Sequence, residues 1–175
     1  AQAAEGIASA TVPGRMQVVG SFDGVMGIVD YAHSPDAIDR VLASLAASAH
    51  GRVIAVVGAG GDRDRTKRPQ MGAIAAALAD VLIITDDNPR SEDPAAIRAA
   101  VRAGALEVAT AERADVREEA DRARAITVAV SVAEAGDVVV VLGKGHEQGQ
   151  DVAGVISPFD DAEVLTAALH VRTST

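Results

Sequence analysis

Short unbroken apolar runs alternate along the chain with longer stretches in which apolar residues return every third or fourth position. Residues 53–57, residues 81–84 and Val138–Leu142 are continuous aliphatic runs, the pattern of strands buried on both faces of a sheet. Gln17–Phe22 and Val25–Asp30 read as two further short strands around a glycine turn. Ile38, Val41, Leu42 and Leu45 share one face of a helix that Ser34 caps, Pro35 opens and His50-Gly51 ends. The same reading predicts helices over residues 69–79, from Pro94 past Gly104, over residues 121–135 and over residues 161–169, with a short strand at Asp115–Glu118. Residues 1–14 are small and polar and end in Pro13-Gly14, so they read as a linker or the remnant of a preceding domain; residues 172–175 read as a disordered tail.

Strands separated by helices imply parallel neighbours, because parallel strands need long crossover connections. The expectation is therefore one α/β domain over residues 15–171, a Rossmann-like, doubly wound and mainly parallel sheet with helices on both faces. Such sheets place their ligand crevice at the carboxyl ends of the strands. In this chain the segments there are rich in glycine and charge: Asp30-Tyr31-Ala32-His33, residues 58–68, Asp86-Asp87-Asn88-Pro89-Arg90, and Gly143-Lys144-Gly145-His146-Glu147.

Composition narrows the classes. The chain has 175 residues, enough for one real core, and its 49% hydrophobic fraction is almost wholly aliphatic, with Phe22, Tyr31 and Phe159 the sole aromatics. It has no cysteine, so disulfides and thiolate metal sites are excluded and a reducing cytoplasm is the expected location. No apolar run approaches the roughly eighteen residues of a membrane span. Acidic residues outnumber Lys plus Arg by 25 to 16, which opposes nucleic-acid binding.

Each loop admits two readings from its residues alone. Gly58-Ala59-Gly60-Gly61 leads through Asp62-Arg63-Asp64-Arg65 to a helix opened by Lys67-Arg68-Pro69, and this is either a seat for phosphate or carboxylate or a solvated turn with surface ion pairs. Pro89 stiffens Asp86-Asp87-Asn88-Pro89-Arg90, so its amide and guanidinium suit a bidentate grip on a carboxylate, or the loop merely enters a helix capped by Asp93. In the loop after Val138–Leu142, Glu147 can receive an ammonium; otherwise Lys144 and Glu147 are an exposed pair of little worth. Asp30 and His33 can meet a ribose and a phosphate, or end a strand and precede a cap. No G-x-x-x-x-G-K-[ST] phosphate loop, zinc motif or nucleophile elbow is present, and Arg63 replaces the third glycine of a dinucleotide fingerprint.

In their order and spacing, Asp30-Tyr31-Ala32-His33-Ser34-Pro35, Gly60-Gly61-Asp62-Arg63-Asp64 with Lys67-Arg68-Pro69, Asp86-Asp87-Asn88-Pro89-Arg90 and Gly143-Lys144-Gly145-His146-Glu147 resemble the MurE family of peptidoglycan amide ligases. The resemblance runs from about Val12 to Leu169 and includes Gly14-Arg15-Met16 and Phe159-Asp160-Asp161. It implies the last of three domains of an enzyme that adds meso-diaminopimelate to UDP-N-acetylmuramoyl-L-alanyl-D-glutamate, using ATP and Mg²⁺. The family activates the D-glutamyl γ-carboxylate as an acyl phosphate, which the incoming amine attacks. By that resemblance, Arg63, Asp87, Asn88, Pro89, Arg90, Gly143 and Glu147 bind meso-diaminopimelate, and Arg15, Asp30 and His33 face ATP. Arg90 is what distinguishes diaminopimelate from lysine, since only the former brings a second carboxylate. The phosphate loop, metal ligands and UDP-sugar site belong to the N-terminal and central domains. The fragment alone is expected to be inactive, to hold no tightly bound cofactor or metal, and to contain no catalytic residue of its own. The competing expectations are the equivalent domain of another Mur-like ligase and a stand-alone binding module for amino acids or anions.

Overall fold

A computed structural model describes residues 12–172. Of the expected linker, residues 1–11 lie outside that range, while Pro13-Gly14 form a turn. Of the expected tail, residues 173–175 lie outside it and Arg172 instead closes the last helix. In chain order the elements are β1 Gln17–Phe22, β2 Val25–Asp30, α1 Pro35–Ser48, β3 Val53–Ala59, α2 Lys67–Leu78, β4 Val81–Asp86, α3 Pro94–Glu107, β5 Asp115–Glu118, α4 Arg122–Val132, β6 Val138–Leu142, β7 Gly149–Val152, β8 Val155–Pro158 and α5 Asp161–Arg172.

The main sheet runs β1-β2-β6-β3-β4-β5, with β1 antiparallel to β2 and every other pair parallel. From β2 through β3 and β4 to β5 the chain travels one way across the sheet; after β5 it reverses, and β6 enters the gap between β2 and β3. Right-handed crossovers then demand helices on opposite faces for the two directions. The core obeys. On one side Ile38 and Leu42 of α1, Met71 and Ala75 of α2 and Val101 of α3 pack with Ile28, Ala55, Leu82 and Val140. On the other, Ile126 and Ala129 of α4 and Leu165 and Leu169 of α5 pack with Val29, Val56, Ile83 and Val141. Successive β6 valines thus face opposite layers, which is why that strand reads as an unbroken apolar run.

Several expected boundaries move. β3 and β4 extend to Ala59 and Asp86, past the apolar residues, because their ladder continues through Gly58–Thr85 and Ala59–Asp86 pairing. Helix α2 begins at Lys67, placing Pro69 within the first turn, where its missing N–H costs nothing. Gly72 of α2 lies against the Val101 carbonyl of α3, and Gly104 of α3 against the Pro69 carbonyl of α2, with no room for a Cβ at either. These glycines bring the two helices together and set the position of the loop that opens α2.

A hairpin, β7–β8, is an addition to the expected elements. Ala153 and Gly154 form its two-residue turn at φ 52° and 80°, the pair of positive values that a type I′ hairpin requires.

Candidate functional site

The register sets Asp30 beside Leu142 and Ala59 beside Asp86, so the loops after β2, β6, β3 and β4 emerge along one edge of the sheet. They enclose a cleft of about 190 Å³, small for a nucleotide and suited to a compact polar ligand. Its lining comprises Tyr31 and His33 from the first loop, Gly60, Arg63 and Lys67 from the second, Asp87, Asn88 and Arg90 from the third, and Gly143 and Glu147 from the fourth.

Arg90 stands at φ 51°, in the left-handed region where an L residue is held against its preference. The surroundings hold it there. Its N–H donates to the Asp151 carbonyl (3.0 Å), its carbonyl accepts from Ala153 (2.7 Å), and its Nη1 donates to the Gly61 carbonyl (2.8 Å). The hairpin therefore braces the Asp86–Arg90 turn from behind while the guanidinium reaches across to the loop after β3. Gly61 returns a bond from its N–H to the Asn88 carbonyl (2.8 Å), and a side chain at Gly61 would strike Pro89. Pro89 itself is buried behind the lining and shapes the turn.

Asn88 is buried and hydrogen-bonded on both sides of its amide. Its Oδ1 accepts from Lys144 Nζ (2.7 Å) and Asp151 N (3.0 Å), and its Nδ2 donates to Glu147 Oε2 (2.9 Å). Lys144 also meets Asp87 Oδ1 (3.3 Å) and is fully buried, so it is no exposed partner of Glu147. Burial pushes its ammonium below the ordinary lysine range, and the neighbouring Asp87 opposes that shift. Gln150 Nε2 donates to the Asp87 carbonyl (2.8 Å).

Deeper still, Arg122 and Asp161 form a bidentate pair (2.7 and 2.7 Å) with both side chains wholly enclosed. The same guanidinium donates to the carbonyls of Asp86 (3.3 Å) and Leu142 (3.0 Å), clipping the ends of β4 and β6 together. On the outer side, Glu92 receives Arg68 twice (3.0 and 2.8 Å) and the Asp62 N–H (2.6 Å), so its carboxyl is held down to about 2, chiefly by Arg68.

The opposite side of the cleft is built more lightly. His33 is exposed and lines the mouth, its Nδ1 2.7 Å from the Tyr31 carbonyl. Lys67 Nζ donates to the His33 carbonyl (3.0 Å), and Tyr31 meets the His33 ring edge-on and lies tilted against His146. Arg15 lies 5.6 Å over the Tyr31 ring, exposed and outside the lining. Asp30 is buried, with Oδ2 accepting from Met16 N and Oδ1 from Ala32 N, both at 2.7 Å. Those bonds fold the loop and tie Gly14-Arg15-Met16 to it. Among the described residues no group of three or more His, Cys, Asp or Glu is placed to hold a metal ion.

The family described as Mur ligase, glutamate ligase domain matches residues 14–145. The chain belongs to the Mur ligase family. It is 58% identical over 156 residues to the UDP-N-acetylmuramoyl-L-alanyl-D-glutamate–2,6-diaminopimelate ligase of Caulobacter vibrioides, covering 88% of this chain and 30% of that protein. The Streptomyces avermitilis ligase of the same name is 53% identical over 169 residues, 96% of this chain and 33% of its own length. A solved structure of a ligase bearing that name superposes with a TM-score of 0.84 at 41% identity, over 95% of this chain and 33% of the other. The chain thus spans about a third of the length of these relatives. A murein peptide ligase from Psychrobacter arcticus, at 18% identity and a TM-score of 0.64, shares the fold.

For this Mur ligase domain, sequence reasoning named most of the lining but not Tyr31, Gly60 or Lys67, although all three lie within motifs it singled out. It also missed the supports Lys144, Gln150, Arg122 and Asp161, most of whose partners lie 20 to 63 residues away. Only Phe159-Asp160-Asp161 hinted at the last of these. Among the described residues, no helix is long and apolar enough to cross a membrane.

Proposed function

We propose that this chain is the amino-acid-binding domain of a cytoplasmic, ADP-forming ligase that joins meso-diaminopimelate to UDP-N-acetylmuramoyl-L-alanyl-D-glutamate in peptidoglycan synthesis. The observation that carries the reading is the meeting of Arg63, Asp87, Asn88, Arg90, Gly143 and Glu147 around one small cleft, with the Arg90 guanidinium held by the Gly61 carbonyl. The cations suit the carboxylates of a diamino diacid, and Asp87 and Glu147 suit its ammonium groups. The 50–58% identity to ligases of that name supports the same ligand.

The domain's part in the chemistry is to bind and orient the nucleophile. Fixing both ends of the amino acid aims one amine at an activated carboxylate, and a preset approach of that kind can contribute several kcal/mol to the rate. ATP with Mg²⁺ would supply the phosphoryl group that activates the acceptor. His33, exposed at the mouth beside Lys67, and Arg15, exposed outside the lining over Tyr31, suit phosphate oxygens. Asp30 suits a supporting role better, since main-chain N–H groups already engage both its oxygens. The remaining ATP, metal and UDP-sugar contacts fall to the N-terminal and central domains that the longer relatives have room for.

Calorimetric titration of meso-diaminopimelate and L-lysine into a full-length ligase carrying this domain tests the reading. Wild type is expected to prefer meso-diaminopimelate. Arg90→Ala should weaken that ligand by roughly 2–5 kcal/mol while leaving lysine little changed, since truncating one member of a buried charged pair costs about that much. Equal binding of lysine and diaminopimelate by wild type would overturn the assignment. The 175-residue chain alone should release no ADP in response to the UDP-dipeptide, and measurable release would sink the division of labour.

A further inference from the structure

Lys144 follows Gly143 at the floor of the cleft and is fully buried. An ammonium has three N–H donors: this one gives two to Asn88 Oδ1 (2.7 Å) and the Gly149 carbonyl (2.8 Å), and it lies 3.3 Å from Asp87 Oδ1 as an ion pair. Its side chain has no surface open to a ligand. Whatever Lys144 does in the cleft, it does through those neighbours.

The neighbour it controls most tightly is the Asn88 amide. The amide oxygen takes two donors, Lys144 Nζ and the Asp151 N–H, so the NH₂ is turned to the other side, where it donates to Glu147 Oε2 (2.9 Å). Rotating the amide by half a turn would set its NH₂ against an ammonium and a main-chain N–H. Its oxygen would then face a carboxylate. Every contact would become donor against donor or acceptor against acceptor, around an amide too buried for water to compensate in full. The cation under Asn88 therefore selects one amide orientation, and that orientation holds one oxygen of Glu147. Oε1, the other oxygen, has no hydrogen-bond partner among the described residues, on a side chain that lines the cleft.

We propose that Lys144 is a positioning residue whose buried ammonium fixes the polarity of the Asn88 amide and, through it, the carboxylate of Glu147, which the cleft then offers to an ammonium group of the incoming amino acid. This rests on the reading of the cleft as an amino-acid site. A lysine present only to fill space would need neither two hydrogen-bonded acceptors with a carboxylate beside them nor an asparagine between itself and the cleft.

Two measurements test it. The first needs no ligand: ¹⁵N-resolved NMR of the 175-residue chain should show the Lys144 ammonium protons in slow exchange, with cross-peaks to Gly149, and the Asn88 NH₂ protons close to Glu147. An ammonium exchanging as fast as those of exposed lysines, or Asn88 NH₂ protons close to the Asp151 N–H, overturns the proposal. The second is a cycle of Lys144→Met, Asn88→Ala and the double variant in a full-length ligase carrying this domain, titrated with meso-diaminopimelate and checked for folding by thermal melt. Lys144→Met should weaken binding by about tenfold or more in wild type and by less than about twofold once Asn88 is alanine, because residues acting through one network are not additive. Equal losses in both backgrounds overturn it. Should wild type ignore meso-diaminopimelate, the proposed function fails, and should Lys144→Met not fold, the cycle is lost; in either case the ligand-free NMR measurement decides the role of Lys144.

Discussion

The two sides of the cleft are built on different principles. On the side of Asp87, Asn88, Arg90 and Glu147, every turn is held from behind: by the hairpin through Asp151 and Ala153, by the Lys144 ammonium, and by Arg122 across the ends of β4 and β6. On the side of Arg15, Tyr31 and His33, side chains lie at the surface and are arranged by ring contacts and single hydrogen bonds. The first side is shaped before any ligand arrives, which lowers the ordering cost of binding. The second is left adaptable, as suits a surface that a neighbouring domain completes. One fold edge thus offers a rigid half-site and a soft one, and the difference lies in buried charge: Lys144 and the Arg122–Asp161 pair stand under the first, whereas under the second the buried charge is Asp30, held by main-chain N–H groups rather than by a cation.

The most damaging change should be Arg122→Met. It leaves the Asp161 carboxylate enclosed without its partner, and breaking one member of a buried pair costs about 3–5 kcal/mol. Urea unfolding should show that loss. Adding Asp161→Leu should recover much of it, because two apolar side chains can replace a buried pair at little cost. The double variant still lacks the donor to the Asp86 and Leu142 carbonyls, so its amino-acid affinity should stay weakened after stability returns. Recovery of both together would show that the clip carries stability alone.

How far each side could be read in advance follows from the same contrast. Val138–Leu142 announced itself because both its faces are covered, and Asp86-Asp87-Asn88-Pro89-Arg90 because proline, amide and guanidinium lie adjacent in sequence. The supports were harder to see. Lys144 looks like a surface cation until Asn88, 56 residues earlier, is folded over it. The β7–β8 hairpin stayed hidden because it is largely exposed, with no apolar alternation to mark it, and because Ala153 stands in its I′ turn where asparagine or aspartate would have given the signal. Asp30 illustrates a different limit. Its position in a motif was legible, but its bonds to Met16 and Ala32 depend on how the preceding turn comes back over the strand.

A smaller and pH-dependent effect should follow from the clamp that joins the loops after β3 and β4. The Glu92 carboxyl is held down to about 2 from an ordinary 4.5, first by Arg68 and with help from the Asp62 N–H and Arg65. A depressed carboxyl stabilises the fold fully above its unfolded value and loses that contribution as protons arrive. Stability from this clamp should therefore be complete above pH 4.5 and decline as pH falls toward 2. Melting curves of wild type and Glu92→Gln should differ at neutral pH, with wild type the more stable, and converge over that acid window. A gap of constant size across the window would mean that the carboxylate's charge is not what closes the clamp.

The least effect on stability is expected from Arg15→Ala, and for that reason it probes the soft side most cleanly. Arg15 is exposed, and its contact in this fold is a cation over the Tyr31 ring at 5.6 Å, an arrangement worth about 0.5–1 kcal/mol at an exposed site. Unfolding should shift by no more than that, and affinity for the amino acid should hold, since Tyr31 sits across the cleft from the Arg90 brace. If Arg15 serves a phosphate instead, the loss must appear only when the nucleotide-binding domains are present, as a raised KM for ATP in a full-length ligase. An unchanged KM there, beside an unchanged melting temperature, would remove Arg15 from the nucleotide side and leave His33 and Lys67 as the phosphate-binding candidates at the mouth.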